Sequence, residues 1–475
     1  MFDVIVIGGG VVGGLTLREL TKYKLNVCLL EKESDVCMGA SKANSSIVHA
    51  GFDAPQGSLK AVFNVAGNKM MPEVCAELGV KYRNNGSLVV AFSEEEIGTL
   101  EELKARGEKN GVEGLKIVDR DELRAMEKNI SEDALAALYA PTGGIVCPYE
   151  LTIAAIGNAM DNGAKLFTDF EAADIERTNG GYIVRATDGE AVEGKIIVNC
   201  AGLGSGKIAA LCGDEIKIGG RKGEYILLDR ESGDFVNHTL FFTPTKLGKG
   251  ILVTQTVDDN VLLGPTAEEM QTPDTATTAE GLRFVQEKVR KMCKNPPLFN
   301  TITSFAGVRA YSDRHDFIIE ESKNRKGVIH VAGIESPGLT SSPAIAKYAV
   351  EELVGKLIPL EINENFCGER QADYFFKNLT DEEKNAIIAR DPSYGRIVCR
   401  CEQITEGEIV RAIRENPPAN DVDGVKRRTR AGMGRCQGGF CQPYVAELIA
   451  RECGVTLDRI TKCGGESYLV RGRTK

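Results

Sequence analysis

The stretch FDVIVIGGGVVG, residues 2–13, decides the fold of the chain. Its first six residues are apolar apart from Asp3 and predict a buried parallel strand. Three glycines in the order G-x-G-x-x-G follow at once, and residues 15–23 predict a helix behind them. A strand, a glycine turn and a helix in this order predict an α/β domain that holds a phosphate-bearing ligand at the turn.

Each glycine of this turn has its own task. Gly8 makes the tight turn, Gly10 lets the backbone approach a pyrophosphate, and Gly13 lets the helix pack closely on the strand. A second strand over residues 26–30 ends at Glu31, whose carboxylate is expected to accept hydrogen bonds from an adenosine ribose. Because all these parts occur in order, they predict a dinucleotide site rather than a merely glycine-rich turn.

Later segments favour FAD over NAD as the dinucleotide. Residues 39–53, GASKANSSIVHAGFD, lack clear periodicity and are expected to form a loop along the cofactor. Two further buried strands, residues 196–201 and 328–332, each run into a glycine-rich turn, at 202–206 and 333–340. Three such units, separated by insertions, predict one discontinuous domain, and FAD is long enough to touch all of them.

Composition limits the class of protein and its surroundings. A chain of 475 residues predicts two to four domains, and the net charge of -10 argues against nucleic acid as a general partner. The 14 cysteines without a recognisable secretory leader indicate a reducing, cytoplasmic setting. No run of 18 apolar residues occurs, so no transmembrane segment is expected.

Two pairs of cysteines near residue 400 and residue 440 predict a metal site. Cys399 and Cys401 are spaced C-x-C, and Cys436 and Cys441 are spaced C-x4-C. Ligation by thiolates alone suits zinc or an iron-sulfur cluster, but C-x-C is unusual for structural zinc. The spacing leaves both metals open and favours iron, since a flavin that collects two electrons needs a one-electron carrier.

A basic run lies just before Cys436, at Lys426, Arg427, Arg428 and Arg430. A solvated loop is one interpretation of this run. The other is a counter-charge for an anionic cluster or a docking patch for an acidic partner. The sequence alone does not choose between them.

Several ordered blocks carry a family resemblance over residues 1–360. They are SSIVHAG at 45–51, PTGGIVCPYEL at 141–151, RKGEYILLD at 221–229, LLGPTAEE at 262–269 and FAGVRAYSDRHDFII at 305–319. With the N-terminal turn, they resemble the D-amino-acid oxidase-like flavoproteins, in the branch of glycerol-3-phosphate dehydrogenase and L-2-hydroxyglutarate dehydrogenase. The resemblance implies FAD as cofactor and an antiparallel sheet over the flavin ring.

A second resemblance covers residues 395–450, where the four cysteines lie. This segment is similar to the bacterioferritin-associated ferredoxin-like 2Fe-2S domain, which occurs appended to flavoprotein dehydrogenases. The ferredoxin itself has C-x2-C where this chain has C-x4-C, and the appended versions commonly show the longer loop. The resemblance implies a 2Fe-2S cluster held by Cys399, Cys401, Cys436 and Cys441.

The expected fold is of the α/β and α+β classes. It combines a discontinuous Rossmann-like FAD domain, an antiparallel-sheet substrate domain and a small helical C-terminal iron-sulfur domain. The expected bounds are 1–360 for the oxidoreductase domain, 361–394 for a connector and 395–475 for the cluster domain. Within the oxidoreductase domain, the FAD-binding part is expected at about 1–80, 145–215 and 305–360, and the substrate-binding part at about 80–145 and 215–305.

The turn and the resemblance together name the residues expected to bind FAD. They are Gly8, Gly10, Gly13, Glu31, Ser45, Ser46, His49, Ala201, Gly202, Gly338, Leu339 and Thr340. Four histidines are available for proton transfer. His238, just before a strand of the sheet, is the preferred base, while His49 lies near the flavin ring in the family's matching motif. His315 and His330 are expected to be structural.

Arg309 is the residue expected to hold an anionic substrate. Its AGVR block matches the family segment whose arginine meets the anionic group, and a planar guanidinium suits phosphate or carboxylate. The alternative is an arginine paired with a buried acid. Lys246 and Lys249 are suggested as additional positive charge for a phosphate, and the family match also suggests Glu224 and Tyr225 as pocket residues.

The family resemblance implies the substrate, and the resulting hypothesis is a cytoplasmic FAD-dependent dehydrogenase that oxidises sn-glycerol 3-phosphate to dihydroxyacetone phosphate. Electrons would pass through the 2Fe-2S cluster to a separate acceptor subunit such as an NAD(P)H flavoprotein. The alternative substrates are L-2-hydroxyglutarate or another L-2-hydroxy acid and, more distantly, an imino acid or opine. The alternative from outside the enzymes is a non-catalytic electron-transfer subunit that binds flavin and an iron-sulfur cluster.

Overall fold

The structure is a computed structural model that describes residues 1–244, 250–272, 274–370 and 376–472. Lys246 and Lys249, suggested above as additional cations, lie outside the described residues. No helix in the described part of the chain is long and apolar enough to span a membrane.

Strands and helices alternate along most of the chain, and the strands outnumber the helices. The strands are β1 (Phe2–Ile7), β2 (Val27–Leu30), β3 (Ile47–Val48), β4 (Tyr82–Arg83), β5 (Ser87–Ala91), β6 (Lys116–Asp119), β7 (Ala136–Ala140), β8 (Gly144–Val146), β9 (Lys165–Phe167), β10 (Ala172–Thr178), β11 (Gly181–Ala186), β12 (Ala191–Asn199), β13 (Ile218–Leu228), β14 (Thr239–Phe242), β15 (Leu252–Gln255), β16 (Val261–Gly264), β17 (Glu268–Met270), β18 (Thr301–Ser312), β19 (Ile318–Glu321), β20 (Val328–Ala332), β21 (Ile397–Cys399) and β22 (Ile404–Thr405). The helices are α1 (Val11–Thr21), α2 (Leu59–Glu77), α3 (Glu94–Asn110), α4 (Arg120–Met126), α5 (Pro148–Asp161), α6 (Ser205–Leu211), α7 (Ala279–Met292), α8 (Gly338–Tyr348), α9 (Asp381–Arg390), α10 (Glu406–Arg414), α11 (Val422–Thr429) and α12 (Gln442–Cys453).

The first sheet is built on parallel strands in the order β20-β12-β1-β2-β9. Residues of β1 alternate between two cores, as the twofold period of a strand requires. Val4 and Val6 face the core formed with helices α1, α5 and α8, whereas Ile5 and Ile7 face the core beside β10 and β11. Burial on both faces explains why this strand is almost continuously apolar.

The second sheet has nine strands and comes mainly from the two insertions. Its order is β6-β7-β5-β14-β15-β16-β13-β18, and β17 pairs with the first part of β13. All these pairs are antiparallel except β5 with β14. The antiparallel-sheet domain that the family resemblance implies is therefore confirmed.

The boundaries of two helices differ from those that the sequence predicted. Helix α1 begins at Val11 rather than residue 15, because Gly10 of the glycine turn is already its N-cap. Helix α8 begins at Gly338, within the segment 333–340 that the sequence predicted as a glycine-rich turn, and Pro343 lies inside the helix.

The C-terminal module has a small core of its own around Ile409, Val425 and Ile449. Strands β21 and β22 form a hairpin, and helices α10, α11 and α12 pack beside it. Thr405 accepts a hydrogen bond from the Glu408 amide, and the Glu408 carboxylate accepts from Thr405 in return. These reciprocal bonds form a capping box at the start of α10.

A buried ionic contact joins this module to the first sheet. Both oxygens of Asp35 accept hydrogen bonds from Arg428 at 2.8 Å, and Oδ2 also accepts from Arg427 at 2.5 Å. Asp35 is 4% exposed, Arg428 is 8% exposed and Arg427 is 6% exposed. Burial alone would raise the pKa of Asp35, but the Arg428 and Arg427 guanidinium groups lower it overall.

Arg430 makes a second contact of the same kind. It is 5% exposed and donates to Asp258 at 2.8 Å, to Asn260 at 3.0 Å and to Glu402 at 3.0 Å. The sequence interpretations of a solvated loop and of a docking patch for an acidic partner are both wrong for Arg427, Arg428 and Arg430. These arginines bind carboxylates of their own chain.

We expect Asp35→Ala to destabilise the protein by about 3–5 kcal/mol, because it leaves two buried guanidinium groups without their carboxylate. The matched control is Glu176→Ala, which breaks an exposed pair with Arg185 and should cost less than about 1 kcal/mol. The free energy of unfolding is measured by chemical denaturation. Equal effects of the two substitutions would contradict a stabilising contact at Asp35.

The contribution of Asp35 should also depend on pH in a defined direction. Its folded-state pKa is lowered, so the stabilisation is complete above the usual aspartate pKa of about 3.9 and is lost as pH falls through the folded value. The difference in unfolding free energy between the native chain and Asp35→Ala should therefore be constant near neutral pH and shrink in acid.

Candidate functional site

A cavity of about 700 Å³ lies between the two large sheets, within the range of cofactor sites. The carboxyl ends of β1, β2, β12 and β20 face it, as expected for a ligand site of an open α/β sheet. Most residues expected to bind FAD line it: Gly8, Gly10, Glu31, Ser45, His49, Ala201, Gly202, Gly338 and Leu339. The helices α1 and α8 begin at its wall, where their amide groups favour phosphate.

The other three residues expected to bind FAD lie behind the lining. Gly13 packs beneath the carbonyl oxygen of Gly8. Ser46 has a left-handed backbone, and its amide donates to Asn44 at 2.8 Å. Thr340 Oγ1 accepts from the His49 amide at 2.8 Å, so it positions the loop that carries His49.

The glycine turn leaves no space for side chains. Gly8 has φ +112°, and a Cβ there would lie 2.9 Å from the Cα of Ala201. A Cβ on Gly13 would collide with the Gly8 carbonyl oxygen. The turn therefore keeps the backbone of β1, α1 and the segment after β12 in direct contact, which exposes amide groups to the cavity.

Glu31 lies at the end of β2 and fixes the same turn. Its Oε2 accepts from the Gly9 amide at 2.6 Å and its Oε1 from the Glu33 amide at 3.0 Å. Burial raises the pKa of the Glu31 carboxyl, although these two amides oppose the shift. The carboxyl group also lines the cavity, and its contact with a ribose stays a prediction.

The structure brings His49 and Arg309 to one cavity but leaves His238 outside its lining. His49 follows β3, and its Nε2 lies 3.4 Å from Ser336 Oγ. His238 Nδ1 instead lies 2.7 Å from Glu127 Oε1, and the same carboxylate accepts from the His238 amide at 2.6 Å. Glu127 is 1% exposed, so His238 serves as the partner of a buried acid.

Arg309 projects from β18 into the cavity wall. Its Nη2 donates to the Thr266 carbonyl at 3.1 Å, and its buried Nε has no partner. Within the described residues no carboxylate pairs with Arg309, which favours the prediction of a substrate-binding arginine over that of an arginine paired with a buried acid. Tyr225, from β13, lines the same cavity and hydrogen-bonds Ser45 at 3.2 Å.

Some lining residues were not singled out from the sequence. Ser336 lies in the turn before α8, while Lys60 and Arg221 both pair with Glu335, at 2.8 Å and 3.4 Å. They come from distant segments, so no local pattern groups them. Glu224, suggested for the pocket, instead accepts from the Thr278 amide at 2.8 Å and holds the start of α7.

The four cysteine thiols of the C-terminal module form two pairs. Cys401 Sγ lies 3.5 Å from Cys436 Sγ. A hydrogen bond from Cys441, with help from the backbone amides of Gly432 and Glu402, lowers the pKa of Cys399 to about 6. Over the described residues, no three metal-binding side chains converge on a single-ion position, and the sulfurs stay in two pairs.

This donor set fits a two-iron cluster, in which each iron takes two protein ligands. Burial opposes ionisation of Cys436, but its pKa is lowered overall by the Cys401 thiol and by the amides of Phe440, Gly438 and Gly439. Amide groups directed at sulfur stabilise the negative charge that a thiolate-bound cluster carries.

A dinucleotide turn, a cavity along it and a four-thiol module define a redox flavoprotein with two cofactors. The chain belongs to the family of FAD-dependent oxidoreductases (DAO), whose model matches residues 3–352. Residues 397–451 match the BFD-like 2Fe-2S binding domain. FAD and a 2Fe-2S cluster are therefore confirmed as its cofactors, which decides against zinc.

Relatives of known activity cover most or all of the chain. A glycerol 3-phosphate dehydrogenase of Caloramator mitchellensis is 48% identical over 477 residues, 100% of this chain and 99% of that protein. A glycerol 3-phosphate oxidase of Mycoplasma genitalium is 32% identical over 75% of this chain and 95% of its own length. The FAD-bound L-α-glycerophosphate oxidase structure from Mycoplasma pneumoniae superposes with a TM-score of 0.74 at 29% identity, covering 78% and 98% of the two chains.

We expect Gly13→Ala to purify with much less FAD, because the new methyl group would displace the Gly8 carbonyl and distort the phosphate turn. The matched control is Gly98→Ala in helix α3, where a Cβ meets nothing within 4 Å. The flavin content per chain is measured from the visible absorbance of the purified proteins. Full flavin content in Gly13→Ala would show that the turn tolerates a side chain.

Proposed function

We propose that the protein is an FAD-dependent dehydrogenase that oxidises sn-glycerol 3-phosphate to dihydroxyacetone phosphate. The observation that carries this proposal is Arg309, whose unpartnered Nε lies in the wall of the cavity that also holds His49. A guanidinium in this position suits an anionic substrate. The printed activities of the relatives from Caloramator mitchellensis and the two mycoplasmas support a phosphate ester of glycerol.

The reaction removes a hydride from carbon and a proton from the secondary hydroxyl group of the substrate. FAD supplies the hydride acceptor when it is bound. His49 Nε2 takes the hydroxyl proton in this proposal, and Ser336 Oγ, 3.4 Å away, helps to orient the imidazole ring. Asn64 and Thr340 hold the backbone of His49 at 2.7 Å and 2.8 Å, so the base is fixed in place.

Arg309 orients the substrate by its anionic group. The Thr266 carbonyl fixes the guanidinium through Nη2, which leaves Nε for a phosphate oxygen. A fixed anion brings the hydroxyl carbon to the same place at each turnover, and such positioning contributes strongly to rate. A carboxylate would meet the same group, so a 2-hydroxy acid is the competing substrate class.

The proposal includes a separate electron acceptor beyond the cluster. Cys401 and Cys436 are partly exposed, and Phe440, between Cys436 and Cys441, is 84% exposed. One side of the cluster site therefore faces outward, where a partner protein such as an NAD(P)H flavoprotein can approach. The cytoplasmic location stays a prediction.

We also propose the division into an oxidoreductase domain at 1–360, a connector at 361–394 and a cluster domain at 395–475. The matched family segments, 3–352 and 397–451, support this division. The inner bounds of the FAD-binding and substrate-binding parts stay predictions.

We expect sn-glycerol 3-phosphate to bleach the oxidised flavin absorbance under anaerobic conditions, whereas L-2-hydroxyglutarate and an imino acid should not. The control is Arg309→Gln, which should keep its flavin but need a much higher concentration of glycerol phosphate. Bleaching by L-2-hydroxyglutarate alone would move the assignment to a 2-hydroxy acid. Bleaching by none of them would favour a non-catalytic electron carrier.

The two candidate bases make opposite predictions. If His49 takes the proton, His49→Gln should lower kcat about 10²–10⁴-fold. His238→Gln should reduce kcat much less, because His238 is outside the cavity lining and a glutamine can still bond Glu127. Steady-state kinetics with an artificial acceptor measure both. A larger loss in His238→Gln would return the role to the residue first suggested by the sequence.

A further inference from the structure

A buried carboxylate lies directly beside a cluster ligand. Glu402 follows Cys401 in sequence and is 4% exposed. Its Oε2 is 3.0 Å from Arg430 Nε and 3.9 Å from both Arg230 Nη1 and Lys377 Nζ. A negative group next to the cluster is thus enclosed by three cations.

Arg230 reaches this group from the flavoprotein part of the chain. It lies just after β13, and its Nη2 donates to the carbonyl oxygen of Cys401 at 2.5 Å. One guanidinium therefore touches both the backbone of a cluster ligand and the neighbouring carboxylate. The flavoprotein part contributes directly to the surroundings of the cluster.

The flavoprotein part of the chain also holds Arg430. Asp258 and Asn260, in the turn between β15 and β16, fix its guanidinium at 2.8 Å and 3.0 Å, and Lys81 pairs with Asp258 at 2.5 Å. Among the described residues, Arg430 and Lys81 both pair with Asp258, while Arg230, Arg430 and Lys377 surround Glu402.

Charge near a cluster changes its reduction potential. Uptake of one electron adds one negative charge to a site that already holds four thiolates. Nearby cations favour this reduced form, and a nearby carboxylate opposes it, most strongly where water is excluded. The described contacts of Glu402 place charges of both signs beside the cluster ligand Cys401.

We propose that Arg230 and Arg430 act as tuning residues that raise the reduction potential of the 2Fe-2S cluster against the opposing charge of Glu402. When bound, the cluster would supply one-electron chemistry between the flavin and an external acceptor, and these residues would set its potential for that role. This inference rests on the proposed function only for the source of the electrons. The potential itself is a property of the cluster and needs no substrate.

The test compares Arg230→Gln with Glu402→Gln in the purified protein with its cluster. The midpoint potential is measured by titration with dithionite and followed by the EPR signal of the reduced cluster. Arg230→Gln should lower the potential and Glu402→Gln should raise it, each by about tenfold in the equilibrium constant, roughly 59 mV for one electron. Arg314→Gln, which breaks an exposed pair with Glu320, should leave the potential unchanged.

Shifts of the midpoint potential in opposite directions would indicate an electrostatic effect. A structural disturbance of the loop would not depend on whether the removed group was positive or negative. Shifts in the same direction, or no shift in either variant, would overturn the proposal. If Arg230→Gln loses its cluster, Arg230→Lys keeps the charge and should retain a potential near that of the native protein. A fall in the potential of Glu402→Gln would then overturn the proposal on its own.

Because dithionite supplies the electrons, failure of this test differs from failure of the proposed function. A protein that oxidises no glycerol phosphate can still show the two opposite shifts. A protein that oxidises glycerol phosphate rapidly can still show no shift of the cluster potential in either variant.

Discussion

The buried contact of Asp35 with Arg427 and Arg428 is the interaction on which the arrangement of the two redox sites depends. Asp35 lies in the loop after β2, four residues beyond Glu31. The same loop returns to the glycine turn, where the Cys37 amide donates to the Gly9 carbonyl at 2.8 Å. The module that carries the cluster therefore binds the segment that also shapes the FAD cavity.

A second physical link runs through the nine-stranded sheet. Strand β13 places Tyr225 in the cavity and ends just before Arg230, which touches the cluster loop. Arg230 follows Tyr225 by five residues, which an extended chain spans in about 17 Å at most, so β13 and the turn after it connect the two sites over a short distance. Arg430 fastens the cluster loop to the turn after β15 in the same region. Both cofactor sites are thus held on one continuous framework.

Local patterns made much of this structure predictable, whereas long-range pairing did not. Strand β1, the glycine turn and the capping box of Thr405 and Glu408 depend on neighbours in sequence, and the sequence shows them directly. The partners of Arg427 and Arg428 lie about 390 residues away, so a buried ion pair looked like a solvated basic run. His238 looked like a base because nothing near it in sequence reveals Glu127.

The most direct test of the account is whether electrons from the substrate reach the cluster within a single chain. The protein is mixed rapidly with sn-glycerol 3-phosphate without oxygen or any acceptor protein, and the flavin absorbance and the EPR signal of the cluster are followed together. We expect loss of flavin absorbance and then the appearance of the reduced-cluster signal. A flavin that bleaches while the cluster stays oxidised would contradict it.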